Sequence, residues 1–215
     1  SWLTNLEKST TTDTSTSTQH RLVESARELF WSRGYKATTM GEVAKRAGAN
    51  PGSLYYFFKT KEELLLAVLD LYTQLLGPAV IEPAFRANED PIVRVFMVLE
   101  GYRRGLIETD FTHGCPIGNL ALEIGEALPS ARVKIASNFT SWVGWIRKCL
   151  DQAGDRLPSD LDRQAAAQFV LALMEGAVMQ ARAHRSIEPF DAVVLTLRDY
   201  FARLIRDAAL QSGPR

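Results

Sequence analysis

Cysteine, histidine and long apolar runs are all scarce in this chain, and each scarcity removes a class of function. The two cysteines, Cys115 and Cys149, lack the spacing of a thiolate metal site, and so few thiols suit a reducing cytoplasm better than a disulfide-stapled exterior. The three histidines, His20, His113 and His184, are scattered, with no Glu-x-x-His pair to build a di-metal helical bundle. With no nucleophile motif or phosphate loop either, neither enzymatic activity nor a cofactor or metal is expected. No apolar stretch approaches the ~20 residues that span a bilayer, and no basic segment followed by an apolar core marks a signal peptide. Membranes are therefore not expected as partners. Alternating strand patterns are missing too, and everything after residue 19 reads as helix.

Net charge is also absent, which alone argues against a nucleic-acid binder, but its distribution reverses that impression. Between His20 and Lys61 eight lysines and arginines face only Glu24, Glu28 and Glu42, so this segment is +5 and the remainder −5. A basic end on an acidic body suits contact with DNA.

The basic end contains the most informative run, Thr38 to Leu64. Thr39 can cap a helix, with Glu42 reaching back as a capping box, and Met40, Val43, Ala44 and Ala47 follow on one face. Gly48 suits a left-handed terminator. Asn50 caps the next helix and Pro51 sits where a missing N–H costs nothing. Leu54 and Phe57 or Phe58 turn inward, leaving Ser53, Tyr55 and Tyr56 at the surface. This is a helix-turn-helix whose second helix is built to enter a major groove. Thr39 can offer hydroxyl and amide to a phosphate, and Tyr55, Lys59 and Lys61 are further phosphate contacts. Arg46 reaches a base or a phosphate, or remains a solvated cation of its helix. Asn50 is the one amide side chain near the bases, so specificity leans on thymine methyls and DNA shape.

Residues from about Gln19 to Leu66 resemble the DNA-binding domain of the TetR family of transcriptional repressors. The resemblance rests on Arg33-Gly34-Tyr35, Thr38-Thr39, Val43-Ala44, Ala47-Gly48, Leu54-Tyr55-Tyr56, Phe58, Lys59, Lys61 and Leu64 in fixed order. Phe57 departs from it, standing where many members carry His. The resemblance implies that Pro51, Gly52, Ser53 and Tyr56 lie closest to the groove floor. It also implies an all-α fold: an N-terminal three-helix helix-turn-helix domain, then a ligand-binding and dimerisation domain of about six helices. The expected boundaries are a disordered Ser/Thr-rich arm over 1–18, the DNA-binding domain over 19–66 and the effector domain over 67–211.

In the body, Thr60 and Glu63 form a second capping box, opening a helix striped by Leu64, Val68, Leu71 and Leu75 that ends at Gly77-Pro78. Further helices are expected over 91–109, 116–127, 129–153, 159–184 and 189–209. The last two are apolar over nearly half their girth, which points to burial on two sides. Phe169, Ala172 and Gly176, with Val193, Leu197, Tyr200, Phe201 and Leu204, are thus assigned to a homodimeric four-helix interface.

The resemblance also implies a cavity for a small-molecule effector. Its expected lining is Phe85, Phe96, Tyr102, Phe111, Cys115, Leu120, Phe139, Trp142, Trp145, Met174 and Met179, with Asn119, Glu123 and Glu175 as polar anchors. The segment from Gly114 to Glu123 resembles a stretch in the flavonoid- and electrophile-responsive TetR subgroup. The expected protein is a dimeric repressor that binds a palindromic double-stranded operator and is released by a small apolar aromatic molecule. The alternatives are a redox- or electrophile-sensing repressor triggered at Cys115, before a Pro-initiated helix, and a protein-docking helical adaptor.

Overall fold

The computed structural model describes residues 17–211, so all but the last two residues of the expected arm lie outside it. Among the described residues all regular structure is helical. The helices are α1 (Thr18–Arg33), α2 (Met40–Arg46), α3 (Pro51–Phe57), α4 (Lys61–Leu75), α5 (Glu82–Ala87), α6 (Pro91–Glu108), α7 (Pro116–Ile124), α8 (Pro129–Gln152), α9 (Arg163–His184) and α10 (Glu188–Gln211).

Local capping explains most helix starts. Ser17 Oγ accepts from His20 N at 3.2 Å, Asn50 Oδ1 from Ser53 N at 2.8 Å, and Asp90 Oδ1 from Ile92 N at 2.9 Å. The Thr39–Glu42 capping box is complete. The Thr60 box is only half formed. Thr60 caps Glu63 N, but Glu63 Oε2 accepts from Lys59 N at 2.6 Å, one residue before the expected site. Asp162 caps α9 through Ala165 N, so this helix starts at Arg163, four residues after the expected 159.

Gly77-Pro78 does not end α4. The chain widens into a π-helix over Leu76–Ile81 and continues into α5. Proline removes one N–H and crowds the carbonyl four residues back, and a π-turn accommodates both without stopping the helix. The resulting Lys61–Ala87 helix is long and apolar enough to cross a bilayer by composition, contrary to the sequence expectation. Its apolar face is used inside the protein, since Leu64, Leu65, Val68 and Leu69 are all fully buried. Each such side chain contributes about 1.5–3 kcal/mol.

The described chain forms two compact units. The first comprises residues 17–79 and Thr112–Phe139, and the second Val80–Phe111 and 140–211. The first thus takes in α7 and the start of α8 along with the helix-turn-helix. Its core is built from Leu22, Ala26, Leu29 and Phe30 of α1 with Val43, Ala44, Leu54 and Phe58. In the second unit, Phe201 of α10 meets Phe96 of α6 edge-on at 5.9 Å, and Arg103 donates two hydrogen bonds to Asp191, at 2.7 and 3.0 Å.

Candidate nucleic-acid interface

Helix α3 buries Leu54, half-buries Ser53 and Phe57, and turns its remaining side chains outward. Tyr56 is 74% exposed and Tyr55 49%, and Asn50, Pro51, Gly52 and Lys59 are also exposed, with Ser53 half-buried. Gly48, at φ +61°, makes the turn from α2. The side chains expected at a groove therefore share one exposed, cap-initiated helix.

Two basic and polar groups of this edge are already engaged within the protein. Arg46 forms an ion pair with Glu28. Thr39 donates both its amide and its hydroxyl to Glu42 Oε2, each at 2.8 Å. The expected Thr39–phosphate contact would have to displace this carboxylate. Hydrogen bonds from the Thr39 amide and hydroxyl hold Glu42 below the usual glutamate range, with burial opposing and Arg33 and Lys61 assisting.

Lys61 sits in a defined seat. Its ammonium lies 4.3 Å from the centroid of the Tyr35 ring and donates to the Lys36 carbonyl at 3.5 Å. Burial lowers its pKa, and the fields of Glu123 and Glu42 oppose that fall. The same loop is gripped from α7: Glu123 Oε2 accepts from Tyr35 N at 2.8 Å and Oε1 from Lys36 N at 2.5 Å. Glu123 is thus engaged with the loop rather than standing ready as an effector anchor. Sequence reasoning missed this role because the partners are 88 and 87 residues away. The available signal was the glycine at position 34: its φ of +93° would strain any side chain, and a Cβ there would press to 3.1 Å from the carboxylate.

The other expected effector residues divide between the units. In the first, Cys115 and Leu120 are buried, and Asn119 and Phe139 half-buried. Neither cysteine is in a disulfide. Cys115 is only 3% exposed, and its Sγ accepts from Gly118 N at 3.4 Å. In the second unit, burial pushes the Cys149 thiol up to about 11.

In the second unit an aromatic cluster gathers four of the expected lining residues. Trp142 lies 6.0 Å from Tyr102 and 6.3 Å from Trp145, and Trp145 lies 6.4 Å from Phe85. Arg94 stacks 4.0 Å over Phe85. The Trp145 indole N–H is buried and meets no acceptor among the described residues. Phe96 belongs instead to the contact with Phe201, Met174 is buried, and Phe111 is half-buried. Met179 is 53% exposed, on the α9 face that also carries exposed Phe169 and Ala172 and half-buried Gly176. Spacings of three, four and three residues place these four on one side of a helix, whereas Met174 lies on another.

The expected interface on α10 is likewise corrected. Leu197 and Phe201 are each 2% exposed within the single chain, so its own core already uses them. Val193, Tyr200 and Leu204 are half-buried.

Comparison with known proteins agrees with this architecture. Residues 22–68 match the family described as bacterial regulatory proteins, tetR family, and residues 91–195 match the C-terminal domain of LmrA/YxaF-like transcriptional regulators. The chain is 28% identical over 178 residues to the HTH-type transcriptional repressor DhaR of Mycobacterium sp. (strain GP1), covering 82% of this chain and 88% of the relative. Over 46 residues it is 52% identical to the HTH-type transcriptional regulator QacR of Staphylococcus aureus, covering 21% and 24% of the two chains. In fold it is similar to a crystal structure of regulatory protein TetR from Rhodobacter sphaeroides, with a TM-score of 0.76 at 23% identity, covering 86% of this chain and 97% of that one.

Proposed function

From the premise that the chain belongs to the TetR family of DNA-binding transcription regulators, we propose that it is a dimeric cytoplasmic repressor released from a palindromic operator by a small aromatic molecule. The observation that carries the DNA-binding half is the outward face of α3, where Tyr55 and Tyr56 stand exposed beyond the capped Asn50–Ser53 turn. On this reading Tyr55, Lys59 and Lys61 hold phosphates, while Pro51, Gly52, Ser53 and Tyr56 meet base edges. Arg46 joins them only by leaving Glu28. That its relative DhaR is a repressor favours repression.

Dimerisation is assigned to the α9 stripe of Phe169, Ala172, Gly176 and Met179. A Cβ added to Gly176 would meet nothing within 4 Å, so a second copy can approach closely there. Val193, Tyr200 and Leu204 of α10 would form its margin. Effector binding is assigned to the cluster of Phe85, Tyr102, Trp142 and Trp145. A buried donor without an acceptor costs about 1–3 kcal/mol, which a ligand carrying an acceptor beside its aromatic ring would relieve at Trp145.

A salt-dependent titration on the DNA flanking the protein's own gene tests the reading. Tight, sequence-selective binding with a steep negative salt slope is expected. Equal affinity for unrelated duplexes would overturn operator recognition.

A further inference from the structure

The loop between α1 and α2 is held from two sides. Lys36 gives its N–H to Glu123 at 2.5 Å and its carbonyl to Lys61 at 3.5 Å. Tyr35 gives its N–H to the same carboxylate at 2.8 Å and its ring face to the same ammonium at 4.3 Å. Both oxygens of Glu123 are thus spent on consecutive backbone amides, and the loop so held is the platform on which Lys61 rests. Gly34 permits this approach: a Cβ there would lie 3.1 and 3.2 Å from the two carboxylate oxygens, at a φ of +93° that side chains rarely adopt. The glycine between Arg33 and Tyr35 therefore has a geometric reason, and that reason points at Glu123.

We propose that Glu123, on α7, is a positioning residue for DNA binding: by gripping the Tyr35 and Lys36 amides it builds the seat that presents Lys61 to a phosphate. The inference rests on the reading of Lys61 as a phosphate contact. Its consequence is that operator affinity depends on the stance of α7, since a shift of that helix is felt at once by the loop under Lys61. A lysine held ready gives up less side-chain freedom on binding than one that must be ordered by the DNA.

The direction of effect separates this role from plain electrostatics. Replacing Glu123 by Gln removes a negative charge near the DNA-facing edge, and charge alone would tighten binding to a polyanion. Positioning demands the opposite. Gln offers one acceptor oxygen and an NH2 group that cannot accept, so one loop amide loses its partner and the seat loosens.

The test uses the full chain and four proteins: wild type, Glu123→Gln, Lys61→Ala and the double variant. Binding to sonicated duplex DNA at low salt is measured, with amide exchange at Tyr35 and Lys36 and a thermal melt as controls. Expected are faster exchange at one or both amides in Glu123→Gln, about tenfold weaker DNA binding (1.4 kcal/mol), and no further loss when Glu123→Gln is added to Lys61→Ala. A merely structural role would give additive losses and a lowered melting point instead. Additive losses, or unchanged or tighter binding by Glu123→Gln, would overturn the proposal while leaving the DNA-binding reading intact. If Lys61→Ala binds as well as wild type, the phosphate contact of Lys61 fails and the proposal with it. Failure of the wild type to bind duplex at all would overturn both.

Discussion

The Trp31 indole donates to the Gly114 carbonyl at 2.8 Å, and its ring meets His113 edge-on at 4.6 Å. This ties the end of α1 to the residues just before α7. Trp31→Phe keeps an aromatic ring but removes the indole donor with part of the ring system. A loss of about 1–3 kcal/mol in urea unfolding is expected, and a variant as stable as wild type would show that water replaces the indole at Gly114.

The phosphate reading of Lys61 predicts a specific salt response. Lys61→Ala should weaken binding to all duplexes alike and reduce the slope of log K against log salt by roughly one unit per lost contact. Tyr56→Ala should instead change the ranking among operator sequences. A Lys61→Ala defect confined to one base position, with an unaltered slope, would remove that residue from the phosphate contacts.

Placing Leu197 and Phe201 inside the single chain changes how assembly must be tested. Leu197→Ala should cost about 2–5 kcal/mol of folding stability, which makes any substitution there a poor probe of the interface. Phe169→Glu, at an exposed position of the α9 stripe, should leave helical content and melting largely intact. It should give a monomer in sedimentation and lose tight operator binding. A dimer of normal affinity would move the interface off that stripe.

The sequence was legible where its pattern is local. The Thr39 capping box, the Asn50 cap and the division of α3 into a buried Leu54 and exposed tyrosines depend on neighbours within one or two turns, and their pattern is local. The α4 stripe was displaced: Leu64 and Val68 are buried as expected, but Leu65, Leu69 and Tyr72 complete the face rather than Leu71 and Leu75. A helix apolar on most of its girth does not declare which side faces its own chain. The same ambiguity assigned Leu197 to a partner. Glu123 was legible as a carboxylate but not in its role, because only the tertiary fold brings it to an amide pair in a distant loop.

Asp90 makes acid sensitivity testable in the second unit. A hydrogen bond from Arg156 at 3.0 Å holds its carboxyl below the usual aspartate range, with burial opposing and the Ile92 and Val93 amides assisting. A folded value below the unfolded one means the contribution is fully present above an unfolded pKa of about 3.9 and fades as pH falls through the folded value. Asp90→Asn keeps a good cap but cannot titrate. The stability gap between wild type and this variant should be constant above about pH 5 and shrink in stronger acid. A gap independent of pH would mean the carboxylate charge contributes nothing.

Effector release can be followed from within the aromatic cluster. A ligand loosens DNA only by binding the released conformation better than the DNA-bound one, and linkage makes the effect reciprocal. A hundredfold loss of operator affinity corresponds to about 2.7 kcal/mol of coupling, within the usual allosteric range. Trp142 and Trp145 lie 6.3 Å apart in the second unit, whereas Trp31 belongs to the first. A planar aromatic ligand bearing a hydrogen-bond acceptor should therefore quench tryptophan emission through the first two. Trp142→Phe should diminish that quenching while leaving the acceptor contact at Trp145 in place. Trp145→Phe should diminish it and also weaken the ligand several-fold, because the buried N–H that lacks an acceptor is gone. The same ligand should lower operator affinity, and operator should lower ligand affinity by an equal factor. Quenching without any effect on DNA binding would make the cluster a passive site, and full quenching in Trp145→Phe at unchanged affinity would place the ligand elsewhere.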